Sequence, residues 1–220
     1  MTRGRDESAP AGGTSLVLDF DGTITEIDLL DEISQRFGDP EVFRELDESL
    51  DTGSLTLQAV ITREFAPVRA PLADVVAWVL GNARVRVGFR ELVELARLRE
   101  WNVLVLSSGF HELIETVLAR EQVEVDVVAN RLDPRPTGWR VLWRDKTVCA
   151  VCGESCKRRA LPAAGRIVYA GDGFSDRCAA LASDRVFATK GLARYLDEQG
   201  APYEAFDDFF DVAAQLGDVA

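Results

Sequence analysis

The sequence predicts an α/β fold in which a parallel, Rossmann-like sheet carries an all-helical insertion. Three observations point there. Short apolar runs without alternation, the pattern of strands buried on both faces, recur along the chain and end in Asp, Ser or Gly. Amphipathic stretches at helical spacing separate them, and strands alternating with helices indicate a parallel sheet. Between the first two runs lies a long stretch with helical periodicity and no convincing strand. The 220 residues, 47% of them hydrophobic, are enough for one core with a smaller insertion.

The elements follow in order. Residues 1–13 are polar and rich in Arg, Gly, Pro and Ala; they lack the apolar core of a secretory signal and read as a frayed tail on a cytoplasmic protein. Residues 15–20 form the first strand, closed by Asp21-Gly22. Residues 26–87 place Leu29, Leu30, Ile33 and Phe37, then Val42, Phe43 and Leu46, at helical spacing. Gly38-Asp39-Pro40, Asp51-Thr52-Gly53 and the prolines at 67 and 71 punctuate them into four helices. An amphipathic helix from Phe89 leads to a strand over 102–106, a turn at Ser107-Ser108-Gly109 and a helix over 112–120. A third strand is expected over 123–129, then a hairpin turning at 134–138 into 139–143. A short helix from Arg158 precedes a strand over 166–170 that ends in Gly171-Asp172-Gly173. The alternation continues over 175–182, 186–188 and 192–199. The domain reading is therefore a tail over 1–13, a core over 14–25 and 88–220, and a helical insertion over 26–87.

Charge and composition narrow the partners. The net charge of −12 repels phosphate backbones, and basic residues do not cluster, so nucleic acid is not expected as a partner. No apolar stretch approaches the roughly 20 residues that a membrane-crossing helix needs. The oligomeric state is not legible.

In open α/β sheets ligands bind at the carboxyl ends of strands. Asp19 and Asp21, Ser107 and Ser108, and Asp172 and Asp176 all fall at such ends, so the fold brings them to one crevice. Clustered carboxylates repel one another by about 4 kcal/mol for a pair 4 Å apart near a surface. A hard cation relieves that repulsion, and Mg²⁺ is the natural choice for oxygen ligands.

Asp19-Phe20-Asp21-Gly22-Thr23 resembles the first motif of the haloacid dehalogenase superfamily of phosphohydrolases. Ser107-Ser108-Gly109-Phe110 looks like the second motif, Lys157 the third, and Gly171-Asp172-Gly173-Phe174-Ser175-Asp176 the fourth. The helical insertion resembles the cap of the phosphoserine phosphatase-like branch. The cysteine-rich approach to Lys157 and the stretch 206–212 look closest to the methylthiopentenyl-phosphate phosphatases. The resemblance implies a Mg²⁺-dependent phosphatase of a small phosphorylated metabolite. Asp19 would be the nucleophile that forms an aspartyl-phosphate, and Asp21 the general acid and base. Asp19, the Asp21 carbonyl and Asp172 would hold Mg²⁺, with Asp176 in support. Ser107, Lys157 and the amides of Ser108 and Gly109 at a helix start would bind the phosphoryl oxygens. Asp28 and Arg63 would contact substrate, although the branch carries Glu where this chain has Asp28. A phosphotransferase and a non-catalytic phosphometabolite-binding protein remain as alternatives.

The remaining candidates have plainer readings. Lys146 is the rival to Lys157 and reads as a solvated loop residue, while Lys190, beyond the fourth motif, reads as surface. Cys149-x-x-Cys152-x-x-x-Cys156 could bind zinc with Cys178 as a remote fourth ligand. Structural zinc sites usually have two tight pairs, so the spacing favours reduced thiols packed near the site. His111, the only histidine, reads as a helix-start residue, and a lone histidine excludes a His-rich binuclear phosphatase. Trp78, Trp101, Trp139 and Trp143 share no spacing and read as packing residues.

Overall fold

A computed structural model describes residues 12–217 apart from 48 and 51. Most of the stretch read as a tail, and Asp51 of one predicted turn, lie outside the described residues. A seven-stranded sheet forms the centre, in the order β4-β3-β2-β1-β5-β6-β7. Its strands are β1 (Thr14–Leu18), β2 (Asn102–Phe110), β3 (Asp126–Asp133), β4 (Arg140–Leu142), β5 (Arg166–Gly171), β6 (Arg185–Ala188) and β7 (Glu204–Ala205). All neighbours pair in parallel except β3 and β4, which form the antiparallel hairpin expected from the sequence.

The central position of β1 follows from its composition. Leu16, Val17 and Leu18 are fully buried, because the side chains of a central parallel strand alternate between two covered faces. One apolar layer takes Leu16 and Leu18 together with the helices α5 (Phe89–Leu98), α6 (His111–Glu121) and α9 (Phe209–Gly217). The opposite layer takes Val17, Leu106 and Tyr169 with α7 (Arg177–Ala180) and α8 (Lys190–Gln199).

Between β1 and α5 the described residues build four α-helices: α1 (Leu29–Phe37), α2 (Pro40–Asp47), α3 (Leu57–Phe65) and α4 (Leu72–Asn82). Asp28 caps α1 by accepting from the amides of Leu30 (2.9 Å) and Asp31 (3.2 Å), and Thr56 caps α3 through the Ala59 amide (3.2 Å). The hairpin holds this block from the far side. Trp139, almost fully buried, donates its indole N–H to the Ala70 carbonyl (3.0 Å) and its amide to the Val68 carbonyl (3.0 Å).

Three boundaries differ from the sequence reading. The chain does not turn at Ser107-Ser108-Gly109; β2 continues to Phe110, with an irregular register after Leu106, and α6 begins at His111. Ser107 makes this possible by accepting the Gly109 amide on its own side chain (2.7 Å), which satisfies the backbone locally while the strand stays extended. The third strand starts later than residue 123, because Gln122 adopts a left-handed conformation (φ 57°) and the Val123 amide closes α6 on Leu118. The helix expected from Arg158 is a single 3₁₀ turn, Lys157–Ala160, which stops where Leu161 extends ahead of Pro162.

Candidate active site

β2, β1 and β5 are neighbours, so the segments that leave their carboxyl ends meet. Past β1 the backbone makes one wide turn over Phe20–Ile24, closed by the Thr25 amide on the Phe20 carbonyl (3.0 Å). Gly22 sits in it at φ 77°, where a Cβ would lie 2.2 Å from Asp172 Oδ2. Only glycine combines that conformation with that approach. Gly109 likewise leaves room for Asp21, since a Cβ there would lie 2.5 Å from Asp21 Oδ2.

The carboxylates form one cluster. Oxygens of Asp19, Asp172 and Asp176 lie within 4.8 Å of one another. The Thr23 hydroxyl is placed between Asp19 Oδ2 and Asp172 Oδ1, at 3.2 Å from each. Lys157 is fully buried among them, donating to Asp19 Oδ1 and to Asp176 Oδ1 (2.6 Å). Asp176 also accepts from the Tyr169 hydroxyl (2.6 Å) and from the amides of Asp172 and Gly173 (3.0 Å each). It fixes the lysine and the loop that follows β5 in one arrangement. On the other side Ser107 donates to Asp21 Oδ2 (3.2 Å).

Burial and mutual repulsion set the protonation of this cluster. Burial, then the Asp176 charge, raises the pKa values of Asp19 and Asp172 above the ordinary carboxylate value. Asp21 is raised by burial and then by the Asp28 charge. Burial pulls the Lys157 pKa down, but Asp176 and Asp19 outweigh it and hold the ammonium charged beyond the usual lysine range. The cluster is thus short of positive charge, and its oxygen donors fit a hard divalent cation.

Of the predicted residues, Asp19, Asp21, Asp172, Asp176, Ser107 and Lys157 come together, and Ser108 and Gly109 join Asp19, Asp21, Asp172 and Ser107 in lining a cavity of about 220 Å³. Asp28 also lines that cavity while it caps α1. Arg63 does not. The buried face of α3 carries Val60, Ile61, Glu64 and Phe65, and the 100° step per residue turns Arg63 outward to solvent. His111 stays at the start of α6, against Glu115 (3.1 Å) and the Ala129 amide (3.3 Å), and does not line the cavity. Lys146 is exposed in the loop after β4.

Lys190 is exposed, as expected, but it also touches the site. Its ammonium reaches Asp172 Oδ2 (3.1 Å) and the Gly22 carbonyl (2.8 Å), and its backbone is left-handed at φ 47°, which is uncommon for a residue with a side chain. Its position just past the carboxyl end of β6 is the signal that was available, because the strand-end rule applies there too. Arg86 was also missed. It donates to the carbonyls of Thr23 (2.9 Å), Gly22 (3.0 Å) and Asp207 (2.6 Å), pinning the turn after β1 to the segment before α9. No local pattern marks it, because all three acceptors are backbone atoms. The stretch 206–212 starts a helix: Asp208 accepts the amides of Phe210 (2.8 Å) and Asp211 (3.1 Å), and Phe206 stacks on Phe209.

Residues 16–181 match the haloacid dehalogenase-like hydrolase family. The chain belongs to it. Over 212 residues the chain is 28% identical to a protein of Brevibacillus brevis named 2-hydroxy-3-keto-5-methylthiopentenyl-1-phosphate phosphatase, covering 93% of this chain and 95% of that one. A protein of the same name from Geobacillus thermodenitrificans is 28% identical over 208 residues, with 91% and 94% covered. Among solved structures, phosphoserine phosphatase from T. onnurineus superposes with a TM-score of 0.69 at 20% identity, covering 94% of this chain and 96% of that one. A phospho-aspartyl intermediate analogue of phosphoserine phosphatase gives 0.71 at 18%, covering 92% and 98%. The haloacid dehalogenase hydrolase fold expected from the motifs is the fold observed. The chain is an enzyme of this hydrolase family, and the relatives it matches nearly end to end are named as phosphatases. Among the described residues no helix is long and apolar enough to cross a membrane.

Proposed function

We propose that this chain is a Mg²⁺-dependent phosphatase that hydrolyses the phosphomonoester of a small metabolite with an apolar tail. The observation that carries the reading is the meeting of Asp19, Asp172 and Asp176 around a buried Lys157, with Asp21 and Ser107 alongside. Asp19 attacks phosphorus as the bond to the leaving oxygen breaks, forming an aspartyl-phosphate. Asp21, whose raised pKa favours the protonated form, gives its proton to the leaving oxygen. It then takes a proton from the water that attacks the aspartyl-phosphate, which frees inorganic phosphate and regenerates Asp19. Lys157 and Ser107 bind the phosphoryl oxygens, and the lysine offsets the charge that a carboxylate meets on approaching a phosphate. Mg²⁺, held by the carboxylates of Asp19 and Asp172 and the carbonyl of Asp21, supplies the remaining positive charge.

The cavity argues for the kind of substrate. Leu30 of α1, Phe43 and Leu46 of α2, and Leu57, Val60 and Ile61 of α3 line its wall, while Asp28, Asp31 and Glu64 are its acidic members on the helical side. Among the described residues that line it there is no Lys or Arg, so none of them offers a cationic partner to a substrate carboxylate. This separates the chain from an enzyme of phosphoserine and favours an apolar, uncharged tail such as that of the methylthiopentenyl phosphate for which its relatives are named. We propose that α1–α4, as a cap over 26–87, exclude water from the transfer and select that tail.

The test is phosphate release from a panel of phosphometabolites with and without Mg²⁺. Release is expected to require Mg²⁺, to favour substrates with apolar tails over phosphoserine, and to vanish in Asp19→Asn. Tight substrate binding with no turnover in the native chain would overturn the enzymatic mechanism.

A further inference from the structure

The four cysteines do not scatter as packing thiols. Cys149, Cys152 and Cys156 lie on the irregular loop between β4 and Lys157, and Cys178 lies on α7. Their four Sγ atoms all fall within 4.8 Å of one another, and Cys149 and Cys178 approach to 4.0 Å. The fold has thus supplied the second pair that the linear spacing lacks, with Cys178 brought in on α7.

We propose that Cys149, Cys152, Cys156 and Cys178 form a tetrathiolate Zn²⁺ site that holds the Lys157 loop against α7. Four sulfurs bound tetrahedrally at about 2.3 Å from zinc stand about 3.8 Å apart. A contraction of about 1 Å at the widest pair therefore closes the cluster on an ion. The setting suits coordinated thiolates. The Val151 amide donates to Cys149 Sγ (3.5 Å), the kind of outer bond that orients and stabilises a metal-bound sulfur. Arg144 is near enough to Cys156 for the two to interact electrostatically, and its buried Nη1 has no hydrogen-bond partner among the described residues. A positive group so placed offsets the negative charge of the site. On binding, each thiol gives up its proton and the four sulfurs donate to one ion, with no change of oxidation state.

The position gives the site its purpose. Cys156 immediately precedes Lys157, and Cys178 follows Asp176 by two residues, so one ion ties together the two segments that deliver the buried ion pair. The same loop reaches the helical block: Glu154 accepts the Leu57 amide (3.2 Å) and the Asp145 carbonyl accepts from Gln58 (3.0 Å). A loop with no regular element of its own then has a fixed shape at both ends. The zinc is structural, all four positions being taken by protein, and the proposal stands whether or not the phosphatase reading does.

The test uses the full chain, purified under reducing conditions without chelators. Elemental analysis is expected to find on the order of one zinc per chain. Exchange with Co²⁺ is expected to give the sulfur-to-cobalt charge-transfer and ligand-field bands of a tetrahedral thiolate site. Cys152→Ser, at the exposed corner, is expected to shift those bands and to release zinc to a chelator faster than the native chain does. Zinc removal is expected to lower the melting temperature even at saturating Mg²⁺. A native chain with no zinc and no thiolate–cobalt spectrum would sink the proposal. So would iron with inorganic sulfide, or intact-mass loss of two hydrogens marking a disulfide among these cysteines.

Discussion

Lys157 shows at the residue scale how one side chain carries both chemistry and stability. It is buried between two carboxylates, so Lys157→Ala removes the charge that balances Asp19 and Asp176 and leaves them uncompensated. Breaking a buried pair in this way costs about 3–5 kcal/mol. Thermal denaturation is expected to record that loss, and turnover is expected to fall by at least about 10²–10³-fold. Lys146→Ala, at an exposed loop position, is expected to leave both within about 0.5 kcal/mol and a small factor of native. The reverse pattern, with Lys146→Ala severe and Lys157→Ala mild, would place the third motif at Lys146. Gly109→Ala offers a finer probe, because the added methyl would meet Asp21 Oδ2 at 2.5 Å. Moving that carboxylate by about 1 Å is expected to lower kcat about 10²-fold with KM little changed. A native kcat would mean that Asp21 is not the proton donor.

The β3–β4 hairpin is the element that fastens the helices to the sheet. Gly138 passes close to the Ala66 carbonyl, where a Cβ would lie 2.1 Å away, and Trp139 then stacks near Phe65 of α3. The sequence placed this hairpin and read its tryptophans as packing, and for Trp139 the structure shows where that packing acts. Trp139→Ala is expected to cost about 3–5 kcal/mol, through lost contacts and the Ala70 carbonyl left without its indole donor, the backbone bond to Val68 being kept. Limited proteolysis is expected to open α3 and α4 before the sheet; simultaneous loss of both would show that the hairpin holds the whole chain and not the helices alone. Element boundaries were less legible. Ser107-Ser108-Gly109 has the composition of a turn, yet it stays in β2 because the Ser107 side chain satisfies the Gly109 amide. Arg63 was assigned by position along α3, whereas its helical phase decides which way it points.

Across the whole molecule the site makes stability depend on pH and on metal. Asp19, Asp21, Asp28 and Asp172 all have pKa values raised above the ordinary 3.8 in the folded chain. In that window the folded state binds more protons than the unfolded one, so stability falls as pH rises from the ordinary carboxylate value through the raised ones. Lys157 adds stability that is fully present below the ordinary lysine value of 10.5 and is lost only as pH rises through its raised value. The metal-free chain is therefore expected to lose melting temperature as pH rises from about 4 toward neutrality. Saturating Mg²⁺ is expected to restore it, by an increment that grows with pH because ionised carboxylates bind the ion. A Mg²⁺ increment independent of pH across that range would show that the ion does not bind this cluster.

The sequence by itself determined which residue types stand at the carboxyl ends of the strands, and hence the family, the order of the motifs and the four-helix insertion. Those properties are local: apolar runs, turn residues and helical spacing act over a few positions. The convergence of Lys190 and Arg86 on the turn after β1, the outward face of Arg63, and the gathering of Cys178 with the other three thiols were decided only in three dimensions. They depend on strand order and helix phase, which bring together atoms far apart along the chain and which residue spacing alone does not fix.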